Sequence, residues 1–364
     1  MAPGSSPDRS PAVAPLRTVA LLSLLAGPLL LGSSRPRPAE ALRAAPALLS
    51  ATGLYSDTAS GRIAPGNLAY VPQYPLWTDG AQKRRWIRLP PGGSIDGSDP
   101  DAWKFPVGTR IWKEFAWGGR RVETRMLERT RAGWLYATYA WDEAGTDAVL
   151  APPAGLESRQ EVAPGRRHRI PGVADCKDCH QGGRAEVLGF GTLELSPDRD
   201  PIAPHREPVS AEDVTLPDLV RRGLLRGLPP RLLSEPPRIA AATPRGRAAL
   251  GYLHANCGIC HDAAGPIASI GLFLRWTARG QGPPAGPGWM AVGHLSRYRA
   301  RGAGPGESRW IAAGEPSRST IVARMADAAP AARMPPLGTQ LPDAEALDVV
   351  TAWIREDLAP APRR

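Results

Sequence analysis

Every cysteine of this 364-residue chain falls in one of two C-x-x-C-H motifs, Cys176-Lys177-Asp178-Cys179-His180 and Cys257-Gly258-Ile259-Cys260-His261. One such motif is a weak signal. Two that use up all 4 cysteines leave none for a disulfide framework and constrain the chain strongly. The spacing is that of covalent haem attachment, in which both thiols add to the haem vinyl groups and the adjacent imidazole becomes the proximal iron ligand. A Cys₄ zinc site needs no His directly after each pair, so the spacing argues against zinc. The motifs therefore predict two covalently attached haem c groups. Cys176, Cys179, Cys257 and Cys260 would hold them, and His180 and His261 would ligate iron.

The second motif sits in a well-punctuated context. Thr243-Pro244 is a helix start, with Thr as N-cap and Pro at the first helical position. The predicted helix Pro244–Asn256 carries Ala248, Ala249, Tyr252, Leu253 and Asn256 on one stripe and delivers Cys257 directly. Downstream, Met334-Pro335-Pro336-Leu337-Gly338 offers a thioether sulfur as sixth ligand, which favours Fe(II) and raises the reduction potential. A closing helix is predicted near Asp343–Leu358, with Asp343 as N-cap and Leu347, Val350, Ile354 and Leu358 on its apolar face. The Gly/Pro stretches 281–288 and 301–306 read as loops inserted between the motif and Met334. No Met-Pro loop follows the first motif. Its sixth ligand could come from His205, His168, Met325 or Met290, or be absent.

The region before the motifs has a different character. Seven of the 11 tryptophans (Trp77, Trp86, Trp103, Trp112, Trp117, Trp134 and Trp141) lie between Val71 and Leu150. β-type runs at 84–89, 109–115, 121–128 and 134–141 alternate with turn signals such as Pro90-Pro91-Gly92-Gly93. This predicts an antiparallel sandwich or small barrel with aromatics on its inward face. The functional alternative is an aromatic ligand platform. Trp77-Thr78-Asp79-Gly80 with Lys83-Arg84-Arg85 reads as its exposed rim. A short helix is expected over 44–51, a linker over 152–164, an extended segment over 188–193, and a helix over 213–225 with Pro217 in its first turn. The predicted architecture is multidomain: an N-terminal all-β region, then an all-α, cytochrome c-like di-haem portion. The boundaries are 1–41 for a signal peptide, 42–160 for the Trp-rich β domain, 161–236 for the first haem segment and 237–364 for a cytochrome c domain.

Residues 1–41 fit an export signal. Arg9 and Arg17 precede the apolar run 18–32, and Ala39-Glu40-Ala41 offers a cleavage site. The run is short and interrupted by Pro28, so an uncleaved membrane anchor or peripheral membrane association is the secondary expectation. The formal charge is +10. It suits electrostatic docking of acidic redox partners. No basic stripe or recognition motif points to nucleic acid.

Thr243–Leu358 resembles a class I cytochrome c domain. The matching features are Tyr252-Leu253, the Cys257–His261 motif, Gly314-Glu315-Pro316-Ser317, the Met334–Gly338 loop and Trp353-Ile354. The mature chain is similar to a family of exported bacterial di-haem c-type cytochromes with a Trp-rich N-terminal region. That likeness rests on 75–81 (PLWTDGA), 105–109 (FPVGT), Lys113-Glu114-Phe115, Glu123-Thr124-Arg125 and Gly133-Trp134. The resemblance implies thioether roles for the four cysteines, proximal roles for His180 and His261, and a distal role for Met334. The expected function is electron transfer between periplasmic redox partners. The alternatives are a peroxidase- or oxygenase-like enzyme with an open site at the first haem, and a binding module with a redox tail.

Overall fold

The computed structural model describes residues 44–278, 291–300, 304 and 306–358. The predicted signal (1–41), Met290 and the loop 281–288 lie outside these residues. The strands are β1 (Tyr55–Asp57), β2 (Arg62–Ile63), β3 (Leu68–Ala69), β4 (Gln82–Arg88), β5 (Ile95–Asp96), β6 (Arg110–Trp117), β7 (Arg120–Thr130), β8 (Gly133–Trp141), β9 (Ala148–Leu150), β10 (Leu156–Ala163), β11 (Arg166–Ile170) and β12 (Leu225–Arg226). The helices are α1 (Val173–His180), α2 (Leu216–Arg221), α3 (Arg231–Ser234), α4 (Pro244–Asn256), α5 (Thr320–Ala326) and α6 (Ala344–Ala352).

Six strands form one antiparallel sheet in the order β3-β4-β6-β7-β8-β9. The β6–β7 hairpin turns through Gly118-Gly119, both at positive φ (55° and 79°). That pair of left-handed residues is what a two-residue loop matching strand twist requires. The register places Arg85, Lys113, Arg125 and Thr138 in one row across the sheet, with Ile87, Ile111, Leu127 and Tyr136 beside it. The opposite face carries Trp86, Trp112, Met126, Ala137 and Tyr139, which pack with Leu49, Leu54 and Tyr55. Trp112 is fully buried, so Trp112→Ala removes a contact worth about 3–5 kcal/mol.

Both faces are covered. Ile87, Ile111, Leu127, Trp134 and Tyr136 join a core that extends to Leu250 and Leu253 on α4 and to Val350 on α6. One apolar cluster thus draws on the stretches 42–160, 161–236 and 237–364. Two-sided burial explains why sheet carboxylates need partners. Glu114 (3% exposed) pairs with Arg84, and Glu123 (0%) with Arg125.

The expected fold class is corrected at both ends. The β region is an open sheet with β3 and β9 at its edges, not a sandwich or barrel. Its second face packs on the later part of the chain, so it needs no partner sheet. The later part is not an all-α cytochrome portion. Among the described residues there are six short α-helices, the longest being the 13-residue α4, and none lies between α4 and α5. Gly265-Pro266, Gly271, Gly293, Gly314 and Pro316 interrupt that stretch, and both residue types oppose helix propagation.

Smaller corrections have the same cause, tertiary pairing overriding local pattern. The linker over 152–164 is mostly strand β10, held by β11. The helix over 44–51 is only a 3₁₀ turn, Leu49–Thr52, because Ala47 and Leu48 pair with β9. The helix over 213–225 shrinks to α2. Gly223 (φ 69°) ends it, and Leu225 is drawn into parallel pairing with β5. Pro244–Asn256 is found as expected, with the Thr243 hydroxyl accepting from the Gly246 N–H (2.9 Å). It is enclosed on all sides rather than along a stripe. A Cβ at Gly251 would stand 2.0 Å from the Tyr74 ring.

Candidate functional site

The first motif is itself helical. C-x-x-C-H on a helix places Cys176, Cys179 and His180 at i, i+3 and i+4, on one face. The Asp175 carboxylate, accepting from the Gly172 N–H (2.8 Å), fixes the start of α1. The helix packs against β8, with the His180 and Tyr136 ring centroids 5.6 Å apart. His180 Nδ1 is 2.7 Å from the Glu186 carbonyl oxygen. A carbonyl only accepts, so Nδ1 carries the hydrogen and Nε2 keeps its lone pair. Burial pushes the ring's pKa down to about 4, which keeps it neutral. A neutral imidazole with its other nitrogen held by a carbonyl is the form that ligates a metal.

The second motif is the continuation of α4. The Cys257 N–H donates to Leu253 O (2.9 Å) and the Cys260 N–H to Cys257 O (3.2 Å), so the helix tightens into a turn. A Cβ at Gly258 would lie 2.5 Å from the His254 carbonyl, so the turn needs glycine there. His254 is taken up elsewhere, with Nδ1 accepting from the Trp276 N–H and Nε2 bound to Glu194 (both 2.9 Å). Burial lowers the His261 pKa, opposed by the main chain of Leu272.

The two motifs lie against one another. Gly182 and Gly183, just past the first, border Pro266 and the Ile259 carbonyl of the second. The Cys179 and Cys260 thiols are near enough to act on each other electrostatically. Cys179, His180, Cys257, Cys260, His261 and Met334 all line one largely apolar cavity of about 410 Å³. It opens to solvent, so groups attached at its rim are not confined to that volume. The cysteines are free and half-buried. Burial pushes Cys179 up to about 11 and Cys257 up to about 12. Such thiols are not standing thiolates, and among the described residues no three His, Cys, Asp or Glu side chains converge as a metal site. A haem iron takes only its axial ligands from protein, and the residues present fit that demand.

Met334 is held by a bolt that sequence reading missed. The Asp79 carboxylate accepts from the Gln340 and Leu341 N–H groups (2.8–2.9 Å). The Trp77 indole donates to Leu341 O (3.2 Å), and its main-chain N–H donates to Asn256 Oδ1 (2.7 Å). Arg333 donates to Thr339 O and Gln340 O (2.7 and 2.9 Å), closing the loop on itself. Trp77–Gly80 is therefore not an exposed rim; Asp79 is 5% exposed. It ties the residue before Cys257 to the segment after Met334. The one available signal was Asp79-Gly80, a dipeptide suited to positive φ, and both residues adopt it (48° and 77°).

The candidates for the sixth ligand of the first site separate clearly. His168, read as a loop residue, is 2% exposed on β11 and 3.2 Å from Glu123. His205 is bound to Asp343 (2.8 Å) under the Trp77 ring. Neither lines the cavity, whereas Met325 on α5 does. Val187 and Leu188 line it as well, from bends and turns rather than an extended strand. Of the seven N-terminal tryptophans, Trp86, Trp112 and Trp134 are buried and the other four half-buried, and of the seven Trp77 lines the cavity. No helix among the described residues is long and apolar enough to cross a membrane. No family model, curated protein or solved structure matches this chain.

Proposed function

We propose that the chain is an exported di-haem c-type cytochrome that passes electrons between periplasmic redox partners. One observation carries the reading: Cys179 and His180 of the first C-x-x-C-H motif and Cys257, Cys260 and His261 of the second, distant in sequence, line a single apolar cavity together with Met334. Haem, when bound, supplies one-electron exchange between ferric and ferrous iron. The chain's part is to present neutral imidazole nitrogens at His180 and His261 and a thioether at Met334. It also excludes water with apolar walls and holds the two sites adjacent, so that electrons cross between them. The test is a pyridine haemochrome count on protein matured in a bacterial periplasm, with resting-state spectra. Two covalent haems per chain are expected, one with a Met–His signature. Fewer than two overturn the reading.

A second reading, a di-haem oxidoreductase acting at the first site, is favoured by a specific observation. His168 and His205, the His candidates for that iron's sixth position, are committed to carboxylates away from the cavity. A high-spin signal with peroxide turnover would select this reading. Low-spin iron at both sites, in both oxidation states, would remove it.

A further inference from the structure

The sheet carries a row of cations, two of which, Lys113 and Arg125, line the cavity. Arg85, Lys113 and Arg125 stand opposite one another on β4, β6 and β7. Arg85 pairs with Glu207, and Arg125 pairs with Glu123 through Nε and Nη2, leaving its Nη1 without an acceptor among the described residues. Lys113 is different. It lines the cavity beside Arg125, with its ammonium 4.9 Å from the Phe115 ring centroid, and no described residue accepts a hydrogen bond from it. Burial and the neighbouring Arg85 push its pKa well below the ordinary value, so its ammonium form needs an anion beside it. On the other side of the cavity, Arg324 lies over the Tyr298 ring (4.4 Å), and its buried Nε has no partner. Helix α1 packs on β8, the strand paired with β7, which carries Arg125, and the Arg324 carbonyl accepts from the Met334 N–H (2.9 Å). Each motif thus has its own set of incompletely paired cations.

We propose that Lys113 and Arg125 clamp the propionate carboxylates of the haem attached at Cys176 and Cys179, and that Arg324 serves the haem attached at Cys257 and Cys260. This rests on the di-haem reading and deepens it. It assigns each haem an orientation, carboxylates toward the sheet for the first and toward α5 for the second. The general logic is charge-assisted hydrogen bonding, in which a carboxylate meets a pre-placed ammonium or guanidinium.

The test compares Lys113→Gln, Arg125→Gln and Arg324→Gln holoproteins with wild type by haem count and a spectroelectrochemical titration that resolves both haems. Lys113→Gln breaks no hydrogen bond to protein, so it should fold even if Arg125→Gln, which strips Glu123 of its cation, does not. Ferric haem carries one positive charge more than ferrous, so losing a nearby cation stabilises the ferric state. Lys113→Gln is expected to lower one midpoint potential and leave the other unmoved, and Arg324→Gln to lower the other one. Two bound haems with both potentials unmoved in Lys113→Gln overturn the clamp alone. A wild-type haem count below two overturns the di-haem reading and the clamp with it. If the cations instead hold a free anion, added acetate at constant ionic strength shifts the wild-type potential. That result also overturns the clamp.

Discussion

The two C-x-x-C-H segments share a cavity but are built differently. His261 lies on the turn that follows a 13-residue core helix, and the loop bearing Met334 is tied to that helix through Asn256, Trp77 and Asp79. His180 ends an eight-residue helix laid on β8, with Nδ1 anchored to the Glu186 carbonyl. The second site thus has both proposed axial ligands, His261 and Met334, on segments bolted to each other. The first has one anchored proposed ligand, and among the described residues Met325 is the one sixth-ligand candidate on the cavity wall. The same five-residue motif can therefore serve a closed site or an open one. The difference lies in what the remaining chain brings opposite the imidazole.

The largest expected effect tests whether the sites are separable at all. Cys257→Ala with Cys260→Ala should reduce the covalent haem count from two to one; a count of two would end the assignment of these thiols. Next, Met334→Ala should leave the second iron five-coordinate. Its midpoint potential should fall and its ferrous form should bind carbon monoxide, since a thioether favours Fe(II). Applied to Met325, the same change asks whether the first site is truly open. A Met325→Ala protein with unchanged spectra keeps the contrast, and loss of a low-spin signal abolishes it.

A smaller effect is expected at the bolt. Asp79→Ala strands two main-chain N–H groups and puts a residue without a polar side chain at φ 48°. It should cost about 1–3 kcal/mol of stability in denaturant unfolding. Asp79→Asn tolerates the left-handed backbone and should recover part of that. Equal losses in both would show that the carboxylate, not the backbone conformation, is what matters.

The smallest effect is a pH dependence at Lys83. Burial, its largest cause, pushes the ammonium down to about 8 from an ordinary value of 10.5. Between about pH 8 and 10 the unfolded chain then holds a proton that the folded protein does not. Stability contributed by this group rises with pH across that window and is least below it. Lys83→Gln should remove that slope from the difference between the two stability curves. Parallel curves in the two proteins would contradict it.

The four long strands of the six-stranded sheet, β4, β6, β7 and β8, and helix α4 were legible because their signals are local: alternation, turn glycines and a capped start. Asp343 was read correctly as an N-cap for the same reason, its carboxylate accepting from the Ala346 N–H (3.1 Å). β10 was missed because Leu156–Ala163 has little strand character of its own and is held by β11. The buried partners of His168 and His205 were missed because Glu123 and Asp343 come from distant parts of the chain.

By itself, the sequence singled out the six side chains of the proposed attachment sites, since spacing within five residues suffices to define a thioether–imidazole set. It also determined the strands that alternate cleanly. Tertiary structure alone decided that the two motifs share one cavity, that the sheet is open and covered on both faces, and that Trp77-Thr78-Asp79-Gly80 is a bolt rather than a rim. Each of these depends on long-range burial, which sets the cost of a charge or an unpaired N–H. That cost is invisible until the covering chain is in place.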